Sequence, residues 1–515
     1  MIIPMKKIYN KYATILFICA AFAASTFSAC KNYLDVAPQG TITEDQIAND
    51  PAQAKNLVTG IYNVFYIGGF SPDIDGLQYV IMTDIASDDA DKGSEPDDYA
   101  DAKQIDNLVT TPTNGVVNNV WTGYYQGISR TNQALDKLQN AQFDPAIKNA
   151  LIAEARFLRA YFYFNLVRLY GGVPLLDKVP SISEANDDKY QTRATADEIY
   201  KFITSDLDFA VTNLPEKNAT DIGRANKSAA QALEAKVYLY LKDYQKAYDL
   251  SKAVINSGNY SLVKDYSLIW RQKPVGTDGG NNNVESIFEI QAGINKSCTA
   301  AINQYTVSQG PRAGGKRGWA DLGFGFNNPS QSLMDAYETN DTRKAATVIT
   351  INPNGTVLFD GFRIPSRDSV QNDRYSYKAY HSRTAEDNCS GNPDKLPKQI
   401  RILRYADILL INAEAALQIG QAGDASTYLT MVRERAKLLP VAPTLEAIWH
   451  ERRMELAEEH DRFFDLVRQN AVQPGRAAAA FTAHGKTWTD KAALFPIPQT
   501  QIDLSAGKLK QNPGY

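Results

Sequence analysis

"AAQALEAKVYLYLKDYQKAYDLSKAVINSG" (229–258) and "YADILLINAEAALQIGQAGDASTYLTMVRERA" (405–436) are two copies of one pattern. Aligned without a gap, Ala235 falls on Ala413, Leu239 on Leu417, Ala247 on Ala425 and Val254 on Val432. Small residues near a short turn let two helices approach closely, and larger apolar residues seal the pair. This is the logic of tetratricopeptide repeats, although their full consensus is absent. A single pair cannot bury its apolar face, so such units stack. The expected fold is all-α, built on tetratricopeptide-like helix pairs.

The chain around these repeats is also largely helical. Leu151, Ala155, Leu158, Phe162, Leu166 and Leu169 recur at helical spacing. Gly171 and Gly172 supply stop chemistry there, and Pro174 blocks continuation. Trp121, Tyr125, Ile128, Asn132 and Leu135 form a second stripe. From about 270 to 397 the pattern changes to Gly, Asn, Asp and Ser, with "SIFEIQ" and "KQIRIL" as short strands. A second loop-rich region spans about 68–114. So much irregular chain in a helical protein usually has a functional reason.

With 515 residues, 44% hydrophobic and 22% charged, the composition is that of a globular protein. A net charge of −4 argues against nucleic acid, which calls for a basic face. Twenty-eight tyrosines and five tryptophans supply rings suited to packing with one polar edge and to binding sugars or peptides.

Lys6, Lys7 and Lys11 precede a 15-residue, mostly apolar run, Ala13 to Phe27. That run is shorter than the roughly 20 residues of a membrane span and has the form of a signal peptide. Ser28 and Ala29 stand before Cys30 as in a bacterial lipobox, with Phe27 where Leu is usual. Residues 1–29 are therefore expected to be a lipoprotein signal and Cys30 a lipidated N-terminus. The other reading is an ordinary secretory signal with an incidental thiol. Cys298 and Cys389 remain in the mature body and could form one disulfide.

"WHERRMELAEEH" invites a zinc reading, but Met454 stands where the second His is needed. It reads instead as a charged helix with i,i+4 support. Asp84, Asp88, Asp89, Asp91, Glu95, Asp97 and Asp98 crowd one loop. Calcium could be held there, but the EF-hand spacing fails and a solvated acidic loop is expected. No nucleophile elbow, P-loop or dinucleotide fingerprint occurs, so no catalytic residue is assigned. Trp121 and Trp449 read as core and Trp488 as packing. Trp270 is ambiguous. Trp319 stands in a glycine-rich loop with Phe324 and Phe326, either folded back or displayed.

Taken together these motifs resemble the SusD/RagB family of outer-membrane lipoproteins. The resemblance runs through "CKNYLDVAPQG", "AEARFLRAYFYFNLVRLYGGVPL", "RANKSAAQALEAKVYLYLKDYQKAYDLSKAVINSGNYSL", "ILRYADILLINAEAAL", "ERRMELAEEHDRFFDLVR" and "FPIPQTQIDLSAGKLKQNPGY". It covers nearly the whole mature chain. It implies about four helix pairs and an irregular ligand-binding face in one domain, 30–515, with an N-terminal part to about 260 and a C-terminal part from 261. It further implies a non-enzymatic nutrient-binding lipoprotein on the outer face of the outer membrane. Such a protein would sit as a hinged lid on a SusC-like TonB-dependent transporter. No cofactor is implied.

The family's ligand contacts come from two loop regions, which correspond here to 88–104 and 312–327. Tyr99 and Trp319 are the candidate stacking platforms, with Phe324 beside Trp319. Asp88, Asp89, Lys103, Arg317, Asp321 and Asn327 are candidate polar contacts. Arg404, Tyr405, Asp407, Glu414, Glu451, Glu455 and Arg462 carry the family motifs and read as scaffold, because buried charges on packed helices are paired. Three functions stand open: glycan capture for import, peptide capture, and a protein scaffold with no small ligand.

Overall fold

The computed structural model describes residues 49–66, 72–273, 278–293, 304–314, 322–388 and 396–515. The signal-like segment, Cys30, Cys298 and Cys389 lie outside the described residues, as do Arg317, Trp319 and Asp321. Helix α1 (Pro51–Tyr62) is followed by a buried π-helical turn, Ile81–Ile85, then strand β1 (Ala90–Gly93) and helix α2 (Ala100–Asp106). Two long helices come next, α3 (Gly115–Gln139) and α4 (Pro145–Tyr170). Helices α5 (Ala196–Asn213), α6 (Lys227–Leu241) and α7 (Tyr244–Asn256) complete the first half.

The sequence specifies these helices at their ends as well as along their faces. In α4, Asp144 accepts from the Ala146 amide at 2.7 Å and Pro145 occupies the first turn, where its missing N–H costs nothing. Gly171, at φ +73°, ends the helix as the stop signal requires. A Cβ on Gly172 would lie 2.2 Å from the Ala194 carbonyl, so the chain must be bare there. The face read from sequence is only part of what is buried. Phe157, Tyr163, Phe164 and Tyr170 also reach the core, making α4 the helix around which α1, α3 and α5 pack. From Phe157 to Tyr170 the helix is buried on every side, its few charges included.

The middle of the chain holds the strands: β2 (Ser286–Ile290), β3 (Phe326–Pro329), β4 (Val348–Thr350), β5 (Thr356–Val357), β6 (Arg363–Ile364), β7 (Arg374–Ser376) and β8 (Ile400–Arg404). They form separate antiparallel pairs, β1–β3, β2–β8, β4–β7 and β5–β6. The two strands read from sequence, β2 and β8, pair with each other from Ser286↔Arg404 to Ile290↔Ile400. Strand β8 runs directly into α8 (Tyr405–Gln418), then α9 (Ala422–Arg435), α10 (Leu445–Leu456) and α11 (Arg462–Asn470).

The repeat is real. Pair α6/α7 and pair α8/α9 are the two copies, and they stack through α7 against α8. Asn412 donates to the Tyr248 carbonyl at 3.1 Å and to Ser251 Oγ at 2.8 Å. Lys252 reaches Asp424 at 2.6 Å and Tyr428 at 2.7 Å. Among the described residues no helix is long and apolar enough to cross a membrane.

Helix α10 is charged but buried: Glu451, Arg452 and Glu455 have almost no exposed surface, as the scaffold reading of Glu451 and Glu455 expects. Glu455 accepts from Arg343, Arg404 and Arg435, and Glu451 from Arg343 and Arg433. The residues read as paired scaffold behave as such: Arg452 bonds Asp407 at 2.6 Å and Asp465 at 3.0 Å, and Arg468 grips Glu414. Trp121 and Trp449 are core, Trp488 stacks on Phe481, and Trp270 is buried against Tyr266. Removing one partner of such a network strands the others without solvent. Glu455→Ala is expected to lose about 3–5 kcal/mol of folding free energy, to be read as a lowered urea midpoint. A loss under about 1 kcal/mol, the worth of a surface pair, would contradict this view of the network.

Candidate functional site

Strands β1 and β3 are 230-odd residues apart in sequence and hydrogen-bonded in space, with Ala90 opposite Pro329, Asp91 opposite Asn328 and Gly93 opposite Phe326. The pairing joins the early acidic loop to the glycine-rich middle stretch, the two regions read from sequence as the ligand face. The approach is close. A Cβ on Gly93 would sit 2.4 Å from the Gly325 carbonyl, and Gly93 has φ +67°.

Beyond the strand end, Ser94 closes the junction. Its amide donates to Gly325 O at 2.6 Å and to Asn372 Oδ1 at 3.1 Å. Its hydroxyl lies 2.7 Å from both the Phe324 carbonyl and Asp98 Oδ2. Arg312 donates to Ser94 Oγ at 2.7 Å and is paired with Asp98. Burial opposes ionisation of Asp98, but hydrogen bonds from Ser94 and Glu95 and the Arg312 charge outweigh it and hold the carboxyl below its usual range.

The rim of this junction is accessible. Glu95, Pro96, Asp97 and Lys103 are exposed, while Tyr99, Arg312 and Phe324 are half-buried. Tyr99 donates its hydroxyl to Gln78 Oε1 at 2.8 Å and meets Phe326 edge to face at 6.3 Å. Burial pushes its phenol up to about 12, so it is a neutral donor at any physiological pH. Lys103 lies on α2, with Nζ 3.4 Å from the Pro96 carbonyl. Tyr99, Lys103 and Phe324 are therefore brought together by the fold.

Three other candidates are placed differently. Asp88 and Asp89 are buried, and the whole stretch from Asp84 to Ala90 with them, so the acidic loop is solvated only in its later part, at Glu95 and Asp97. Arg462 takes both oxygens of Asp88, at 2.6 and 2.8 Å, and Arg453 bonds Asp89 at 2.7 Å. Asp84 pairs with His460 at 2.9 Å. Asn327 is buried at φ +60°, donating to Gln309 at 2.9 Å and Glu458 at 2.7 Å. A side chain without solvent access whose donors are spent on the protein serves the fold. These three are corrected from ligand contacts to supports beneath the face. Among the described residues no group of three or more His, Cys, Asp or Glu is arranged to hold a metal.

Sequence reasoning missed Ser94, Asp98, Arg312 and Asn372. Arg312 stood inside the window chosen from sequence and Asp98 inside the acidic run, but Asn372 had no local signal. Concavities lie elsewhere on the described residues. One, about 480 Å³, is lined by Trp121, Tyr125, Tyr190, Gln191, Gln501 and Leu504. Another, about 260 Å³, is lined by Asn226, Asn282, Phe288 and Gln291 among others.

A stack of helix pairs carrying a loop-built face defines a helical-repeat protein whose candidate binding face lies off the repeat. Comparison with known proteins gives that class its family. A family model described as "Starch-binding associating with outer membrane" matches residues 32–239, and one described as "SusD family" matches residues 284–515. The chain belongs to the SusD family. It is 26% identical over 515 residues to SusD-like protein P2 of Formosa agariphila, covering 95% of this chain and 97% of that one. Among solved structures it is similar to a laminarin binding SusD-like protein, with TM-score 0.73 and 29% identity over 90% of this chain and 99% of the other. Surface glycan-binding protein A from Bacteroides fluxus is similar at TM-score 0.72 and 27% identity, over 90% and 99% of the two chains.

The Asp88–Arg462 pair makes a pH prediction. Burial opposes the Asp88 charge, but Arg462 and Arg453 outweigh it and hold the carboxyl well below the usual range. A depressed carboxyl contributes stability that is present above its unfolded value, about 3.9, and is lost as pH falls through the folded one. Asp88→Asn is expected to be less stable than the parent by about 3–5 kcal/mol at pH 7, with the gap narrowing below about pH 4. Urea midpoints at pH 7 and pH 3 measure it. A gap that stays constant would rule out the pair as its source.

Proposed function

We infer that this chain is a cell-surface glycan-binding lipoprotein: it captures oligosaccharide or polysaccharide and passes it to a SusC-like TonB-dependent transporter. The observation that carries the reading is the β1–β3 junction. It brings the segment that carries Glu95, Tyr99 and Lys103 against the one that carries Arg312 and Phe324, and all five side chains are exposed or half-buried. A sugar needs flat apolar faces for its C–H side and amide, carboxylate or guanidinium edges for its hydroxyls, and these side chains offer both. The described likenesses to a laminarin binding protein and a surface glycan-binding protein support the same ligand class. Trp319 lies outside the described residues and is proposed as the second stacking ring; Arg317 and Asp321 are proposed as its polar neighbours. The protein acts by binding, without catalysis and without a cofactor.

The outer-membrane description of the matching family model supports a position at that membrane. Lipidation of Cys30 would tether the protein on the outer face beside its transporter, since each buried acyl CH₂ contributes roughly 0.8 kcal/mol. Cys30→Ala is expected to move the protein from the detergent phase to the aqueous phase on detergent partitioning. Retention with membranes would remove the lipid anchor.

Calorimetry on the soluble chain beginning at Lys31 tests the ligand, with laminarin oligosaccharides, starch and other plant, microbial and host glycans, and peptide mixtures alongside. Each stacked ring contributes on the order of 1 kcal/mol. Tyr99→Ala and Trp319→Ala are each expected to weaken saturable glycan binding about fivefold to tenfold. Binding that survives both changes keeps the function and moves the site, the Trp121–Tyr125–Tyr190 cleft being the next to test. Binding of peptides alone would replace the glycan reading with peptide capture.

A further inference from the structure

Tyr99 is held in a conformation that its side chain disfavours. Its φ and ψ are +50° and 76°, in the left-handed region that non-glycine residues seldom enter. Such a backbone persists only where the surroundings over-determine it. Here they do so from two sides.

Lys92 is buried at the end of β1, with 5% of its surface exposed. Its Nζ donates to the Glu95 carbonyl at 2.6 Å and to the Asp98 carbonyl at 2.9 Å, so one ammonium gathers both ends of the turn that leads into Tyr99. The same ammonium lies 5.7 Å from the centroid of Phe326, the ring against which Tyr99 packs. From the other side comes Arg312, more than two hundred residues along the chain. It binds Ser94 Oγ and the Asp98 carboxylate, one residue before Tyr99. The Asp98 carboxylate also accepts from the Glu95 amide at 3.3 Å.

The Arg312 and Asp98 side chains are 28% and 35% exposed. Ion pairs that exposed add little to global stability, so this one must act locally, on the turn it closes.

We propose that Lys92 and Arg312 are positioning residues for ligand capture, closing the 94–98 turn so that the Tyr99 ring stands ready in the orientation that meets a sugar. The inference rests on the reading of Tyr99 as a stacking platform. Its physical content is preorganisation. A ring already fixed does not have to be ordered when the ligand arrives, and that cost is otherwise charged against affinity.

The test is a double-mutant cycle in the chain beginning at Lys31, with laminarihexaose as probe, joined to ¹⁹F NMR of 3-fluorotyrosine-labelled protein. The Tyr99 resonance is assigned by its disappearance in Tyr99→Phe. Arg312→Ala is expected to weaken laminarihexaose binding about threefold to tenfold, the scale of ordering one side chain. In a Tyr99→Ala background the same change should cost nothing further, because the group it positions is gone. The Tyr99 resonance should broaden or split in Arg312→Ala and in Lys92→Met.

An equal loss of affinity in both backgrounds overturns the proposal, since it would mean that Arg312 acts without Tyr99. An unchanged Tyr99 resonance in a folded Arg312→Ala overturns it too. If the parent protein binds neither laminarihexaose nor any other glycan, the glycan reading fails by itself. The fluorine spectrum then decides alone: a broadened Tyr99 signal upholds the positioning and an unchanged one ends it. Lys92→Met buries no new polar group, and Arg312→Ala is the variant that remains informative if Lys92→Met does not fold.

Discussion

Glu455 is fully buried and accepts from three arginines that reach it from three different parts of the chain. Arg343 comes from the irregular middle, Arg404 from the end of β8 and Arg435 from the end of α9. Taking ions out of water costs several kcal/mol each, and only pairing of good geometry offsets it. Because guanidinium and carboxylate pair directionally, the network tolerates only one arrangement of these segments. Burial opposes the Glu455 charge, yet Arg435, Arg404 and Arg343 hold its carboxyl well below the usual range, so the anion is what the fold requires. Glu285, immediately before β2, joins through Arg404 and Arg435. The repeat and the β2–β8 sheet are thus locked in one register by charge as much as by apolar packing.

The same helix passes that order to the face that the ligand is proposed to meet. Arg453 stands one residue from Arg452, turns away from the repeat and holds Asp88 and Asp89 beneath β1. Just past the helix, Glu458 and His460 take up positive φ values and reach Asn327 and Asp84 respectively. Burial first, and then the Asp84 and Asp89 charges, push the Glu458 carboxyl well above its usual range. The loops above can be long and polar because their undersides are nailed to a helix. This division suits a binding protein, in which a rigid frame carries a face free to differ from one ligand to another.

Much of this was legible in the chain. The helix pairs were, because Ala and Leu recur at the spacing that a helix dictates and the two copies align without a gap. The ends of α4 were, because Asp144, Pro145 and Gly171 act on neighbours only a few residues away. Strands β2 and β8 were visible as short apolar runs, and the two loop regions were picked out as one face. The acidic loop was misread in its first half. Seven carboxylates in fifteen residues look solvated when their partners are invisible, and the partners of Asp88 and Asp89 lie more than 360 residues away at Arg453 and Arg462. Helix α10 was legible as a charged helix, with Glu451 and Glu455 as paired scaffold, but which arginines pair with them was not.

By itself the sequence determined the local chemistry: helices, caps, turns, the repeat and the family to which they belong. These depend on interactions within a few residues, so the order of side chains suffices. Only the tertiary structure decided which charges are ligands for one another, which rings reach solvent, and that Asp98, Arg312 and Asn372 meet around Ser94. Those are contacts across two hundred residues and more. They are set by which desolvated groups find partners when the chain closes, and no local pattern encodes that outcome.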